Sequence, residues 1–287
     1  MMCFKIIPFL SLIFLGFIPN SPAQTYDGRS DSCDILHEEL YLEVLDFTNK
    51  TITGRAFIRL TPKVNNLGAV RFDLRNLTVD SVTFNGQPIA FIQNGESVLC
   101  SFSQLLNIGD TATLMIRYGG SPTTGTGSFG GFYWSGSFAF NIGVSLNDIP
   151  HPFGRAWMPC FDNFVERFTL TCHVRVATSQ TAVCGGVLQG VTNHGDGTHT
   201  FTWALQQPVP SYLMSVAVGP YAFVQGNLFT ASGQQVPYLL AARAQDTTQM
   251  KNSFVNLPHA LLTFTQLFGP YVWGRVGYVL VPFTSGA

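Results

Sequence analysis

Between residues 35 and 118, and again between 168 and 218, apolar side chains recur at every second position in short runs separated by turn residues. That period puts successive side chains on opposite faces of an extended chain, so each run can bury its apolar face only by pairing into a sheet and packing against another layer. Phe168, Leu170, Cys172, Val174 and Val176 alternate with Thr169, Thr171, His173 and Arg175. His199, Phe201, Trp203 and Leu205 repeat the pattern after the turn at 193–197. Residues 35–61 alternate on both sides of Thr48-Asn49-Lys50, with Leu40, Leu42 and Val44 leading and Phe57, Ile58 and Leu60 returning, the mark of a β-hairpin. Further runs fall at 70–74, 79–84, 89–92, 98–102 and 113–118, and Asn85-Gly86 supplies the left-handed residues of a tight turn. Residues 212–218 are apolar almost throughout and read as a strand buried on both faces. The expected fold is mainly β, an antiparallel sandwich or layered sheet.

The pattern changes near the C-terminus. Residues 237–243 still read as a strand, but Met250, Phe254, Leu257, Leu261, Phe264 and Leu267 stand at helical spacing. Pro258 interrupts that run and predicts a break or kink. Residues 276–283 return to a strand pattern, and strand, helix, strand after a long all-β run predicts a second, α/β domain that has begun. Expected boundaries are a leader at 1–23, a β-domain at 24–244 and the opening of a further domain at 245–287.

Charged residues make up only 11% of the chain against 46% hydrophobic, a composition for packing a core rather than for disorder. The net charge is -1 with no long basic or acidic run, which argues against nucleic acid and anionic membrane surfaces as partners. At the N-terminus, Lys5, an apolar run over 6–18 and small residues at Ser21 and Ala23 have the layout of a signal peptide cleaved before Gln24. The run is short for a membrane span, so the expectation is export with no span left after cleavage. Cys33, Cys100, Cys160, Cys172 and Cys184 then remain, an odd set that cannot all pair within the chain. Their spacing makes no zinc ribbon, and Cys172, flanked by alternating apolar residues, reads as a buried thiol; a disulfide among the others stays open. Asn49-Lys50-Thr51 and Asn76-Leu77-Thr78 fit glycosylation acceptors.

The densest segment is 152–168, Pro-Phe-Gly-Arg-Ala-Trp-Met-Pro-Cys-Phe-Asp-Asn-Phe-Val-Glu-Arg-Phe. It sets Arg155 and Asp162 among apolar groups, where an unpaired charge costs several kcal/mol, so the two are expected to partner each other or the backbone. This block resembles the Arg and Pro-Cys-x-Asp segment of M1-family, aminopeptidase N-like zinc metallopeptidases. Three more segments are similar to the same family: Phe201-Thr202-Trp203 through Tyr221, Phe268-Gly269-Pro270-Tyr271-Val272-Trp273-Gly274-Arg275, and Val281-Pro282-Phe283-Thr284-Ser285-Gly286-Ala287. The last looks like the approach to the Gly-x-Met-Glu-Asn exopeptidase motif, of which Gly286 and Ala287 are the first two residues.

The resemblance implies a saddle-like N-terminal β-domain followed by the start of a thermolysin-like catalytic domain. It also implies release of N-terminal residues from peptides by the complete protein, using one zinc ion. Gly286 and Ala287 would be substrate-facing. The implied partners are a peptide substrate and the remaining catalytic domain. Zinc hydrolysis of this kind draws on His-Glu-x-x-His, which none of His37, His151, His173, His194, His199 and His259 forms, so no catalytic or metal residue and no cofactor is assigned to the chain itself. In the family a β-domain group that holds the substrate ammonium lies about ten residues before the matched Cys160, where this chain has Pro150; Asp148 and His151 are nearby loop residues. Gly125-Thr126-Gly127-Ser128-Phe129-Gly130 spells a dinucleotide-binding pattern but lacks the strand before and helix after that such a site needs, and reads as a loop. No Gly-x-Ser-x-Gly elbow marks a serine hydrolase. The alternative is an exported β-sandwich that binds or scaffolds without chemistry.

Overall fold

The structure is a computed structural model that describes residues 28–127 and 129–283. The expected signal segment, Ser128, and the approach motif from Thr284 to Ala287 lie outside the described residues.

A short helix α1 (Arg29–Ser32) leads into β1 (Cys33–Asp46), β2 (Thr51–Pro62), β3 (Leu67–Asp73), β4 (Thr78–Phe84) and β5 (Gln87–Pro88). There follow β6 (Phe91–Asn94), β7 (Ser97–Leu106), β8 (Ala112–Gly120), β9 (Gly131–Ser135), β10 (Phe138–Ile142), β11 (Phe168–Ala177) and β12 (Thr181–Cys184). The chain continues through β13 (Val187–Asn193), β14 (Thr198–Val209), β15 (Val216–Gly219), β16 (Tyr221–Phe229) and β17 (Gln235–Arg243). Helices α2 (Thr247–Ser253) and α3 (Leu257–Phe268) then precede β18 (Val276–Val279).

An eight-stranded sheet runs in the order β13-β14-β11-β1-β2-β8-β4-β5. A four-stranded sheet, β12-β15-β10-β9, and a three-stranded one, β3-β7-β6, supply further layers, and β16-β17-β18 form a sheet of their own. The mainly β expectation holds, with one difference from an all-antiparallel reading. β1 pairs with β11 in parallel, Leu40 facing Cys172 and Leu42 facing Val174, so the large sheet is mixed. Side-chain alternation has the same period in both pairings, which is why the sequence did not separate them.

The predicted hairpin forms from β1 and β2. Asn85 and Gly86 both have positive φ, 48° and 83°, at the turn joining β4 to β5. The inward faces converge on one core containing Trp157, Trp203, Tyr118, Phe72 and Phe161, all buried. Each such side chain contributes about 1.5–3 kcal/mol by leaving water. Tyr118 crosses the core to donate its hydroxyl to the Trp157 carbonyl at 2.7 Å. Its ring passes over Gly54 on the neighbouring strand, where a Cβ would lie 2.1 Å from the ring, so that position admits no side chain.

Other local readings shift in detail. Within 212–218 the strand begins only at Val216, because Ser211–Leu213 fold into a 3-10 turn that turns the Ser211 hydroxyl onto Asp162 at 2.7 Å. The helical segment breaks as Pro258 requires: α2 ends at Ser253 and α3 restarts with the proline in its first turn, where no N–H is needed. β18 stops at Val279; Leu280 makes a last bond to the Ala241 carbonyl at 2.9 Å, and Pro282 has no N–H to extend the ladder. β18 pairs in parallel with β17, so one sheet spans the expected border after residue 244. Two small apolar clusters, one around Leu228, Val236 and Leu261 and one around Leu240, Ala242 and Met250, pack this last sheet against α2 and α3.

Candidate functional site

The segment 152–168 is zippered onto the end of β3 and the turn after it. Asp73 and Cys160 exchange backbone bonds of 2.8 and 3.1 Å, and the Arg75 N–H donates to the Arg155 carbonyl at 2.8 Å. Within the segment, Arg155 and Asp162 partner each other as the sequence requires: Nη1 meets Oδ2 at 2.7 Å, both side chains being buried. Nη1 also donates to the Pro152 carbonyl and Nε to Glu96 at 2.7 Å. The second Asp162 oxygen accepts from the Gly154 N–H at 3.0 Å and from the Ser211 hydroxyl at 2.7 Å. Gly154 is obligatory there, since a Cβ would meet the Ser211 Cβ at 2.7 Å.

Desolvation opposes the Arg155 charge, but Asp162 and Glu96 outweigh it and hold the guanidinium more firmly protonated than usual. Burial pushes the Asp162 carboxyl up against the pull of Arg155 and Ser211. The clamp extends outward. Arg75 bridges Glu96 at 3.0 Å and Asp148 at 3.3 Å, Arg29 pairs with Asp73 at 2.7 Å, and Asp73 in turn accepts the Asp162 N–H at 3.0 Å. The Arg75 and Arg155 guanidinium carbons lie 5.1 and 4.5 Å from the Phe153 ring centre. Sequence reasoning found the central pair but none of Asp73, Arg75 or Glu96; nothing local in 70–96 marks them as its partners.

Asp148 and His151 belong to the loop that braces this clamp. Asp148 accepts from the Ser145 hydroxyl at 2.6 Å and the Thr126 N–H at 2.9 Å. Desolvation pushes its carboxyl up, but these donors and Arg75 hold it below the usual carboxylate range. The glycine-rich stretch is therefore a loop tied to Asp148. Gly130 and Gly131 both have positive φ, and a Cβ on Gly130 would strike Ser145 at 2.6 Å. His151 contacts the Ser145 carbonyl through Nδ1 at 3.0 Å, and the Pro150 carbonyl accepts from Arg155 at 3.3 Å. These contacts fit an ordinary loop before Arg155, with Pro150 presenting neither a carboxylate nor an amide to an ammonium.

His194 and His199 do not converge: the first meets Thr200 Oγ1 at 2.8 Å, the second the Gln180 carbonyl at 2.7 Å. Among the described residues no group of three or more His, Cys, Asp or Glu is placed to hold a metal ion. Cys33, Cys100, Cys160, Cys172 and Cys184 are all buried free thiols, and burial pushes Cys33 and Cys100 up to about 12, far from the reactive thiolate. Gly286 and Ala287, the two substrate-facing candidates, lie outside the described residues.

The described chain is thus a mixed-sheet β-domain whose charged motif is spent on holding loops together. The family description "Peptidase M1 N-terminal domain" matches residues 34–213, and the chain belongs to that family. It is 31% identical to rat (Rattus norvegicus) aminopeptidase B over 128 residues, which are 45% of this chain and 18% of that protein. Mouse (Mus musculus) aminopeptidase B is 26% identical over 206 residues, 71% of this chain and 29% of its own length. The chain thus spans less than a third of these curated relatives. Its fold matches the crystal structure of an M1 zinc metallopeptidase from Deinococcus radiodurans with a TM-score of 0.78 at 23% identity, over 88% of this chain and 57% of that one. Legionella pneumophila aminopeptidase A, crystallised with aspartic acid, gives 0.71 at 16% identity over 88% of this chain and 29% of the other.

Proposed function

We propose that this chain is the N-terminal β-domain, with the opening of the catalytic domain, of an exported zinc aminopeptidase that removes N-terminal residues from peptides. In that reading residues 24–244 form the β-domain after removal of a leader at 1–23, and 245–287 begin the catalytic domain. Gly286 and Ala287 line the substrate strand, the zinc is held by polypeptide outside these residues, and the chain alone is inert. The observation that carries the proposal is the family match over residues 34–213. The exposed apolar face of α3 and the segment after it, with Phe264, Leu267, Phe268, Val272 and Trp273 open to solvent, supports a further layer of polypeptide over the C-terminal part.

The test is to read the encoding gene past Ala287 and assay the encoded protein on aminoacyl p-nitroanilides with and without a zinc chelator. Met-Glu-Asn followed by His-Glu-x-x-His, with chelator-sensitive release of the N-terminal residue, is the expected result. A protein that lacks the zinc motif and releases nothing would leave the non-catalytic binding module as the better account. Pro150 at the expected ammonium-binding position is the one feature that favours that second reading.

A further inference from the structure

Cys172 on β11 and Cys184 at the end of β12 lie on consecutive strands that enter different sheets. The turn between them is closed by the Gln180 N–H on the Ala177 carbonyl at 2.8 Å, and β12 folds back so that the buried faces of the two strands join one core. On that side β11 presents Cys172, Val174 and Val176, and β12 presents Ala182 and Cys184, all buried. Contacts around Trp203 hold the strands together near the sulfurs. Trp203 is the cross-strand partner of Cys172 on β14, and its indole N–H donates to the Ala182 carbonyl at 3.1 Å. Arg275, whose guanidinium carbon lies 4.9 Å from the Trp203 ring centre, donates through Nη2 to the Cys184 carbonyl at 2.9 Å. Just past Cys184 the chain presses onto β14 at Gly186, where a Cβ would strike the carbonyl of Ala204, the cross-strand partner of Thr171.

Packed this way, the Cys172 and Cys184 thiols hydrogen-bond each other, and that contact, followed by burial, pushes the Cys172 thiol well above its ordinary pKa. The other cysteines have different surroundings. Cys33 lies beside Asp34, Lys63 and Glu166, and Cys160 beside Asp73, Asp162 and Arg155. Among the described residues no thiol acts on either of them, nor on Cys100, which burial alone perturbs. The packing therefore selects one pair from the five.

We propose that Cys172 and Cys184 join in a disulfide when the chain folds in an oxidising medium. Closing the bond brings two neighbouring sulfurs to about 2.05 Å by side-chain rotation, and the short stretch between them costs little closure entropy. The chemistry is thiol–disulfide exchange with a small disulfide such as oxidised glutathione. One cysteine thiolate attacks a glutathione sulfur and expels one glutathione thiol; the second thiolate attacks the mixed disulfide and expels the other. One S–S bond breaks and one forms, the two cysteines give up two protons and two electrons, and one molecule of oxidised glutathione becomes two of reduced. The exchange belongs to the stage at which the strands meet but the core is still open, because in the folded chain the residues are only 1% and 3% exposed. The same burial then shields the finished bond from reductants. The pairing depends on the packing of this core alone; that the cell supplies an oxidising medium rests on the reading of the protein as exported.

The experiment refolds the reduced, urea-unfolded full chain in a buffer of reduced and oxidised glutathione, alkylates the remaining thiols and maps a tryptic digest without reduction. Cleavage after Arg167, Arg175 and Arg243 leaves Cys172 as the one cysteine of peptide 168–175 and Cys184 as the one cysteine of peptide 176–243. Those two peptides are expected to be joined in most molecules, and a phosphine reductant should open the bond at least about tenfold more slowly in native buffer than in urea. In Cys184→Ala, treated alike, peptide 168–175 should be alkylated and unlinked. Alkylation of both cysteines in the parent, linkage of Cys172 to any other cysteine or to a second chain, or equally fast reduction in native buffer would overturn the pairing. A chain that does not refold is made instead in the oxidising periplasm of a bacterial host and mapped in the same way, with the same outcomes deciding. Mapping the protein from its own cells separates the two ideas: peptides joined after refolding but alkylated there uphold the pairing and count against export.

Discussion

Glu38 interrupts the inward face of β1, between Ile35 and Leu40, and is 1% exposed. Its Oε1 has no hydrogen-bond partner, and burial alone raises the carboxyl well above the ordinary glutamate range. The native state therefore binds this proton more tightly than the unfolded chain does. Stability from that proton is fully present below about pH 4.5 and is lost as pH rises toward the folded pKa. One extra proton held by the native state corresponds to a slope of about -1.4 kcal/mol per pH unit. In a domain of this size that is roughly 3–6 °C of melting temperature per unit. Glu38→Gln mimics the protonated form and removes the titration. Melting temperatures of both proteins, taken in steps from pH 4.5 upward, should show a gap that widens in favour of the glutamine variant by about that amount per unit, then levels off. Subtracting the two curves removes the other carboxyls that burial raises, Asp162 and Glu166, because both proteins contain them. Parallel curves across the range would refute the reasoning and mean that the carboxyl titrates alike in the folded and unfolded states.

Asp162→Ala should destabilise the fold by about 3–5 kcal/mol, because it strands a buried guanidinium. Glu96→Ala, at a partner whose side chain is 43% exposed, should have a clearly smaller effect in the same urea titration, and the reverse order would contradict the clamp described above. Gly54→Ala is expected to destabilise by at least about 1–3 kcal/mol through its clash with Tyr118, with Tyr118→Leu in the same chain restoring part of the loss; an unchanged midpoint would mean that the ring moves freely. A chain ending at Pro220 lacks the open apolar face of α3 and should stay monomeric in light scattering at concentrations where the 287-residue chain associates. Equal association of the two would place the sticky surface elsewhere.

The sequence by itself determined the strands, because period-two burial is a local property: β1, β2, β8, β11 and β14 all lie where alternation put them. It determined the helix break at Pro258, which follows from one missing N–H, and the burial of Cys172. It also required partners for Arg155 and Asp162, because charges among so many apolar neighbours are too costly to leave alone. Only the tertiary structure decided which strands meet. The parallel pairing of β1 with β11 joins residues more than a hundred positions apart, and alternation looks the same whichever direction a partner runs. It likewise decided that Asp73, Arg75 and Glu96 complete the clamp and that Glu38 points inward, past a register shift between Ile35 and His37. Arg275 stands within a family-like segment, yet nothing in that segment distinguishes a solvated arginine from one lying on Trp203 without a counter-charge. Burial and pairing of a charge depend on what the rest of the chain brings beside it, and that is settled only when distant segments close on one core.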